Sequence, residues 1–410
     1  MKKLFVFLCV AGLIAASASP LFAGGIDNKT NWSAEYIRTL NRNAATDAAD
    51  IVMYNPAGVM KMDDGLYGNL SVQYILKDYT NNINGVDLDQ DEPSLIPGLF
   101  LLYKQDRWAG FFGLSNVLGG GKVDFEDGDA TTTFIGLGIL PFLPAGYGIS
   151  NQNLEAEHIG LGYTFGGAFK INDMFSVSLA AMYVDTQKEA NGSVTFTNVN
   201  PLAPDQTANV DYEEDANGWG GVIGVNISPT EQWNIGLRYN TKVNLDYDQT
   251  VNQDNFGVLP RQGITNGGES TRDLPAILAL GVSYKLNDKI RLETNFTYYF
   301  NEDADWSGDE DLVDNGYDLG IALEYTFNPK LKGSIGYLHT DTGIDAEYML
   351  PEAPQLNANT IGTGVAYEAI PGMILNFSLG NAFYEKDSFG PVEYEKNNFF
   401  MAFGIQYKFM

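Results

Sequence analysis

Apolar and polar residues alternate along several long stretches of the chain, and this period of two predicts β-strands. Between Trp233 and Asp248 every second residue is apolar or a good strand former, and similar series begin at Ile290 and Phe399. Strands in proteins average about 5–6 residues, so such a long alternating run needs a special reason. A tilted strand that crosses a membrane and continues beyond it provides one.

Marked along the whole chain, the pattern predicts an all-β fold with fourteen antiparallel strands. The strands are 66–79, 94–104, 107–119, 154–171, 174–188, 218–228, 232–249, 272–286, 289–301, 315–328, 331–341, 359–369, 373–385 and 398–410. Tight turns alternate with long gaps between them. Short turns at one end and long loops at the other are typical of a transmembrane β-barrel. We therefore predict a barrel over 66–410, with a soluble all-β secreted protein as the alternative.

Residues 1–23 have the features of a secretory signal peptide. Two lysines precede an apolar run that is shorter than the ~20 residues needed to span a membrane, and small residues permit cleavage after Ala18 or Ala23. We prefer Ala23. The next segment, 24–65, shows neither a linker composition nor strand alternation. Because the lumen of so wide a barrel needs filling, we predict that 24–65 forms a hatch that plugs it.

The composition argues against nucleic acid as a partner and against a disulfide. The chain carries 52 Asp+Glu against 24 Lys+Arg and a net charge of −28, whereas binding nucleic acid needs clusters of basic residues. The single cysteine, Cys9, lies in the signal peptide, so no disulfide is expected.

Many acids fall in predicted outer loops, where divalent cations could link them to lipopolysaccharide. They include Asp124, Glu126, Asp127 and Asp129 in loop two, Asp211, Glu213, Glu214 and Asp215 in loop three, and Glu302, Asp303 and Asp305 in loop five.

The predicted hatch contains the motif Asn55-Pro56-Ala57, shortly before the first strand. In this position, ahead of a 14-stranded barrel, the motif resembles the FadL family of outer-membrane transporters for long-chain fatty acids and other hydrophobic compounds. The hairpin around 217–243 and the strand opening at 273–276 resemble the matching parts of that family. The resemblance covers essentially the whole chain after the signal peptide.

The resemblance implies passive uptake, with a ligand that passes beside the hatch and leaves sideways through a kink in strand three. Gly119, Gly120 and Gly121 end the third predicted strand. Glycines lack side chains and weaken a ladder, which permits a kink. The other interpretation is that these glycines only begin the outer loop.

The second outer loop is apolar, which is costly in water and marks an interaction surface. We predict that it forms a docking groove for a hydrophobic ligand; a lid over the barrel mouth or an oligomer contact is the alternative. In the FadL family the groove comes from the third and fourth outer loops, so this sequence departs from the pattern. The predicted groove residues are Phe134, Ile135, Leu137, Ile139, Leu140, Phe142 and Leu143.

Basic residues in the lumen are the remaining candidates for ligand contact. The alternation directs Arg238 and Lys242 inward, where they could meet a fatty acid carboxylate or pair with lumen acids such as Asp246 and Glu293. The pairing with lumen acids is the interpretation we prefer.

We predict no enzyme, metal site or cofactor. The only two histidines, His158 and His339, stand apart, and the chain lacks the Gly-x-Ser-x-Gly elbow of many hydrolases. The acidic run that begins at Asp87 lacks the glycine and glutamate of a calcium loop.

We therefore expect an integral protein of the bacterial outer membrane. It would be a monomer, surrounded by outer-membrane lipid and lipopolysaccharide, that takes up long-chain fatty acids or hydrocarbons. The alternative is a polar-solute porin or a structural outer-membrane protein with a vestigial hatch.

Overall fold

The computed structural model describes residues 28–409, so the predicted signal peptide lies outside the described residues. These residues form a closed barrel of fourteen antiparallel strands, four of which are interrupted. The strands are β1 Gly65–Ile83, β2 Val86–Gln90 and Ser94–Gln105, β3 Trp108–Phe125, β4 Tyr147–Lys170, β5 Phe175–Asn198, β6 Gln206–Ile227, β7 Trp233–Asn240 and Asp246–Asp254, β8 Glu269–Thr271 and Ala276–Lys285, β9 Ile290–Phe300, β10 Gly316–Asn328, β11 Leu331–Asp341, β12 Ala358–Ile370, β13 Met373–Tyr384 and Asp387–Phe389, and β14 Val392–Lys408.

Helices are short and lie before the barrel or in its connections. Two α-helices are described, α1 at Ala34–Thr39 and α2 at Ala130–Ile139. The 3₁₀ helices are Ala49–Val52, Pro56–Lys61, Leu140–Phe142, Leu259–Gln262, Asn301–Asp303 and Glu310–Leu312. Within residues 28–409, no helix has the length and apolar character needed to cross a membrane.

The barrel closes where β14 pairs with β1. This antiparallel ladder is continuous from Tyr67 opposite Lys408 to Ile83 opposite Val392. Closure removes the sheet edges, which is what the lipid environment requires of a β-structure. The predicted all-β fold with fourteen strands is confirmed.

The turns at one end of the barrel are short, as predicted, but three of the predicted outer loops, 80–93, 189–217 and 386–397, are mostly strand. β1 and β2 meet at Asn84-Gly85, whose φ values of 53° and 88° suit the type I′ turn of a hairpin. β5 and β6 pair as far as Phe196 opposite Gln206. Asp211, Glu213, Glu214 and Asp215 therefore lie on β6, and their assignment to outer loop three was wrong. Asp124, assigned to outer loop two, likewise lies on β3. The ladder continues above the membrane, where the alternation typical of a lipid-facing strand has ended.

At the boundary between lipid and water, the outward face of a strand changes from apolar to polar and the inward face becomes apolar. Leu76 on β1 points outward and is 43% exposed, whereas the next outward residue, Asp78, is polar and the lumen residue Tyr79 is buried. On β5 and β6 the boundary is marked by Tyr183 and Trp219, whose ring centroids are 5.0 Å apart. Aromatic girdles of this kind flank the apolar band of membrane barrels.

β7 turns over at this boundary. Below its interruption Arg238 faces the lumen, but above it the buried lumen residues are Val243 and Leu245. Asp246 is exposed, so its assignment as a lumen acid was wrong. The odd-numbered residues of this run are apolar or good strand formers throughout. Below the interruption they face the lipid outside the barrel, whereas above it they are buried inside the barrel. The backbone must therefore shift by one residue, which moves every later side chain to the other face.

Candidate functional site

Residues 28–62, which we call the hatch segment, lie against the inner face of the barrel and are held there by buried ion pairs. Arg42 and Asp50 within the segment pair at 2.5 Å and are fully buried. Arg38 on α1 reaches Glu324 on β10 at 2.6 Å. Breaking a buried pair leaves an uncompensated charge and is strongly destabilising. The ion pairs therefore fasten the segment both to itself and to the wall.

The hatch segment follows a row of wall glycines, which we call the glycine ledge: Gly236, Gly281, Gly320, Gly336 and Gly362. At these positions the hatch segment approaches so closely that a Cβ would overlap it. A Cβ would stand 2.1 Å from the Ile37 carbonyl oxygen at Gly362, 1.8 Å from that of Thr39 at Gly336, and 1.9 Å from that of Asn43 at Gly236. The ledge thus sets the course of the hatch segment around the wall from β12 to β7.

The motif Asn55-Pro56-Ala57 fixes the hatch segment on β5 and β6. The Asn55 amide donates to Oδ1 of Asn226 on β6 at 2.8 Å. Pro56 begins a 3₁₀ helix, and the Ala57 carbonyl accepts a hydrogen bond from the Ser176 hydroxyl on β5 at 2.7 Å. The motif therefore makes contacts with the wall that hold the segment in place.

The wall is interrupted between β2 and β3. Their pairing stops at Gly98 opposite Ser115, so residues 94–97 have no ladder partner on β3. The Ser94 hydroxyl donates to the Gly120 carbonyl at 2.9 Å across this interruption. We call the unpaired stretch between 94–97 and the end of β3 the wall gap.

The glycines of β3 lie at the wall gap. The register between β3 and β4 shifts on both sides of Leu118. Gly119 and Gly121 have φ values of 78° and 76°, in the left-handed region that favours glycine. A Cβ on Gly119 would also stand 2.2 Å from the His158 carbonyl oxygen, whereas a Cβ on Gly120 would meet nothing within 4 Å. The strand is thus irregular at the place where it leaves β2.

A cavity of about 240 Å³ lies between the hatch segment and the wall gap. Residues 28–31 and Tyr36 line one side of it, and Gly119 and Gly120 line the other. The Lys29 backbone N–H donates to the Val117 carbonyl on β3 at 2.8 Å. The apolar part of the lining includes Ile37, Leu40, Ile75, Ile96, Leu338 and Phe400. The cavity therefore adjoins both the hatch segment and the wall gap.

Two lysines, Lys77 on β1 and Lys396 on β14, bring positive charge to this cavity. Their Nζ atoms lie 6.0 and 4.4 Å from the ring centroid of Tyr79. Lys77 donates to the Gly120 carbonyl at 3.4 Å, and Lys396 donates to the Pro354 carbonyl at 3.2 Å. In the part of the chain that the structure describes, neither ammonium group has a carboxylate oxygen within 4.0 Å. The cavity thus combines apolar side chains with two cations that lack a direct anionic partner, and with the buried Asp318 carboxylate, which accepts hydrogen bonds from Tyr299 and Thr340.

Comparison with known proteins identifies the family. Residues 144–390 match the family described as outer membrane protein transport protein (OMPP1/FadL/TodX). The chain belongs to this family. The predicted family, the outer-membrane location and the prediction of no enzyme are thereby confirmed, because members of the OMPP1/FadL/TodX family are outer-membrane transporters of hydrophobic compounds.

Solved structures of FadL and TodX type share the fold. A Pseudomonas aeruginosa FadL homologue matches with a TM-score of 0.71 and 14% identity over 94% of this chain and 100% of that chain. The Pseudomonas putida toluene transporter TodX gives 0.67 and 14% over 94% and 99%. The Ralstonia pickettii toluene transporter TbuX gives 0.60 and 18% over 88% and 94%. A sequence search of curated proteins found no match.

In this FadL-type barrel the apolar second outer loop contains α2. The Asp129 side chain caps the helix by accepting from the Thr132 N–H at 2.8 Å, and the Ala130 N–H donates to Asn81 on β1 at 3.0 Å. Of the seven predicted groove residues, only Leu137 and Phe142 are exposed, by 42% and 78%. The others are buried or half-buried: Phe134, Ile135, Ile139, Leu140 and Leu143. The loop packs on its neighbours and offers water only a small apolar edge.

Arg238 and Lys242 have partners within the protein. The Arg238 guanidinium donates to the Met53 carbonyl of the hatch segment. Lys242 pairs with Asp273 at 2.6 Å, at the interruption of β7 and β8. Neither residue lines the 240 Å³ cavity. These two cations therefore hold parts of the protein together, and the cations of the cavity are different ones.

Lys77 and Lys396 were not among the predicted site residues. Gln73 on β1 is a polar residue that faces the lumen. Lys77 lies four residues later, on the same face of the strand, so the alternation could have placed it in the lumen as well. Lys396 precedes the predicted strand 398–410, whereas the observed β14 begins at Val392. The predicted strand thus began too late to include Lys396, and its direction could not be inferred.

The histidines form local hydrogen bonds. His158 Nε2 lies 3.1 Å from Oγ1 of Thr186, and His339 Nδ1 lies 3.1 Å from Oδ1 of Asn359. Across residues 28–409, no group of three or more His, Cys, Asp and Glu side chains is arranged to hold a metal ion.

Proposed function

We propose that the protein takes up hydrophobic molecules with an anionic head group, above all long-chain fatty acids, and releases them sideways into the membrane. The observation that carries this proposal is the 240 Å³ cavity, whose lining joins the hatch segment to Gly119 and Gly120 at the wall gap. A ligand in this cavity would have lipid next to it through the gap.

The size and lining of the cavity favour a slim apolar chain. Its volume of about 240 Å³ is below the roughly 300–1,000 Å³ that is typical of small-molecule sites. Ile75, Ile96 and Phe400 supply apolar contacts. Burial stabilises a ligand by about 0.8 kcal/mol per methylene, so ten methylenes would contribute about 8 kcal/mol. Transfer from water can therefore proceed without coupling to an energy source.

The lysines favour an anionic head group. A buried ammonium group without an anionic partner carries an uncompensated desolvation cost, and a carboxylate would offset it. Lys77 and Lys396 both lie within 6.0 Å of the Tyr79 ring centroid, so a carboxylate beside Tyr79 would be attracted by both. A neutral hydrocarbon would leave both cations without a partner. The two cations therefore favour a fatty acid over an uncharged ligand such as the toluene named for TodX and TbuX.

In this proposal the first contact is the exposed edge of the second outer loop. Leu137 and Phe142 present apolar surface to the outside, and α2 connects this edge with β1 through Asn81. A hydrophobic molecule would be captured there and would pass beside α2 into the cavity.

We also propose that the protein works as a monomer surrounded by lipopolysaccharide. Glu157, Glu189 and Glu213 lie directly opposite one another on β4, β5 and β6. Like charges in such pairs destabilise a sheet, and divalent cations that also bind lipopolysaccharide phosphates would relieve the repulsion.

The test fills the wall gap and leaves the rest of the barrel unchanged. Gly120 has an ordinary φ and open space around its Cβ position, so Gly120→Trp can be accommodated and would place an indole in the opening. Gly110→Trp is the matched control, because Gly110 lies on the same strand, also has nothing within 4 Å of its Cβ position, and alternates with the buried Ala109.

We expect fatty acid uptake by cells to fall to background with Gly120→Trp and to persist with Gly110→Trp, at equal amounts of heat-modifiable, folded barrel. Normal uptake by a folded Gly120→Trp protein would overturn the lateral route. Sugar conductance in planar bilayers, with uptake unaffected by either variant, would favour the polar-solute porin instead.

A further inference from the structure

The seat of Glu35 on the barrel wall is short of hydrogen-bond donors. Glu35 lies on α1, is 2% exposed, and its Oε1 accepts from the amides of Asn69 on β1 and Asn376 on β13 at 2.7 and 2.8 Å. Its Oε2 is buried and has no hydrogen-bond partner. Between these two strands, a Cβ at Gly404 on β14 would stand 3.4 Å from Oε2. The side chain therefore rests over a glycine, between two asparagines.

Two neighbouring amide oxygens also lack hydrogen-bond donors. Oδ1 of Asn69 and Oδ1 of Asn376 are also buried without a donor, so three acceptors share this seat. An ionised carboxylate only accepts, whereas a protonated carboxyl group donates once. An unsatisfied buried charge is costly, and one proton would remove the charge and supply a donor.

We propose that Glu35 is a pH-sensitive latch, which holds α1 on β13, β14 and β1 in its protonated form and loosens the helix when it ionises. The latch goes beyond transport as such, because it links the pH of the surroundings to the position of the hatch segment.

The nearest basic groups of the hatch segment are already paired with other acids. Arg42 binds Asp50 and Asp47, and Arg38 binds Glu324. Within residues 28–409, no basic group lies within 4.0 Å of the Glu35 carboxylate. A small cavity of about 90 Å³ opens the seat to solvent, and its charged lining residues are Glu35, Arg38, Asp47, Lys330, Lys332 and Glu368. Protons can therefore reach Glu35, while no cation compensates its charge directly.

The electrostatics agree with this geometry. Burial, and after it the Asp50 carboxylate, raise the pKa of Glu35 from its ordinary 4.5 to about 7, although Arg42 acts in the opposite direction. A carboxyl group whose pKa is higher in the seated state stabilises that state at low pH. This contribution is complete below pH 4.5 and is lost as the pH rises through about 7.

The latch adjoins the ligand cavity. Tyr36 and Ile37, the next two residues of α1, line the 240 Å³ cavity. A movement of α1 off the wall would therefore change the shape of that cavity.

The test measures amide protection factors of residues 34–40 by hydrogen exchange in lipid nanodiscs between pH 5.5 and 8.5. When α1 opens, Glu35 regains its ordinary pKa, so protection in the natural chain should fall about thirtyfold over this range. Glu35→Gln retains an acceptor for the Asn69 and Asn376 amides and adds a donor. Its protection factors should be independent of pH.

The control is Glu324→Gln, which removes the partner of Arg38. It should lower protection at every pH and retain the pH dependence of the natural chain. The proposal is overturned if Glu35→Gln shows the same pH dependence as the natural chain, or if the natural chain shows none. Because hydrogen exchange needs no transported ligand, this result is independent of the proposed uptake.

Discussion

Adding a single methyl group to the glycine ledge should lift the hatch segment from the wall. We consider Gly336→Ala on β11, where a Cβ would stand 1.8 Å from the Thr39 carbonyl oxygen and 2.4 Å from its carbonyl carbon. Ordinary contacts begin at 3.4 Å, so the two backbones must separate by about 3.4 − 1.8 = 1.6 Å. The carbonyl belongs to the end of α1, so the whole helix end has to move.

The surroundings resist this movement. The Arg38 carbonyl accepts from the Ser334 hydroxyl at 2.9 Å, and the Arg38 side chain is paired with Glu324 at 2.6 Å. Overpacking a well-packed site costs about 1–3 kcal/mol. At about 1.4 kcal/mol per factor of ten, the detached form of the segment should become about 5- to 150-fold more populated.

The assay is hydrogen exchange of residues 34–44, with heat modifiability on gels to show that the barrel remains closed. Gly148→Ala on β4 is the control, because a Cβ there meets nothing within 4 Å. We expect faster exchange in the hatch segment for Gly336→Ala alone. If exchange there is unchanged, the close approach at Gly336 does not position the segment, and the reasoning from the ledge fails.

Two further predictions concern charge. Lys396→Met should reduce fatty acid uptake about 10- to 100-fold, as expected for the loss of a hydrogen bond to a charged group worth about 1.5–3 kcal/mol, and should leave uptake of toluene nearly unchanged. Lys386→Met, at an exposed outer position, is its control, and equal losses for both ligands would contradict the assigned head-group contact. Chelation of divalent cations should lower the thermal stability of the barrel in lipopolysaccharide, and Glu189→Gln should reduce that effect. A chelator effect of the same size in Glu189→Gln would argue against bridging at this row.

The membrane made the fold predictable. A lipid-facing strand must alternate and must be joined at the periplasmic end by a tight turn, so the strand number and the short turns could be inferred from the residues alone. β1 and β7 show where this reasoning stops. On β1 the outward residues change from apolar Leu76 to polar Asp78, and the backbone stays in phase. On β7 the apolar residues keep their odd-numbered positions, but the face of the strand that points into the barrel changes near Val243. Both strands meet the same boundary, and the alternation alone does not distinguish the two responses.

The candidate site was less predictable because its contacts are distant in sequence. The alternation directs Gly336 into the lumen, but its role depends on the Thr39 carbonyl, which only the folded barrel brings close. Asn55-Pro56-Ala57 was noticed as a motif, whereas its partners Asn226 and Ser176 carry no local signal. The same applies to Lys77, whose importance comes from its position beside the wall gap.

The net charge of −28 does not oppose an anionic ligand, because the distribution of charge decides what the ligand meets. Glu189 and Asp246 point away from the lumen into water, where salt screens charges beyond about 8 Å at physiological ionic strength. Lys77 and Lys396 line a buried cavity inside the wall, together with the hydrogen-bonded carboxylate of Asp318, and electrostatic attraction is stronger there because the effective dielectric constant is lower. A carboxylate at the cavity therefore experiences the two nearby lysines more strongly than the many screened acids outside. The acidic exterior and the cationic cavity can accordingly serve different partners, lipopolysaccharide outside and the transported molecule within.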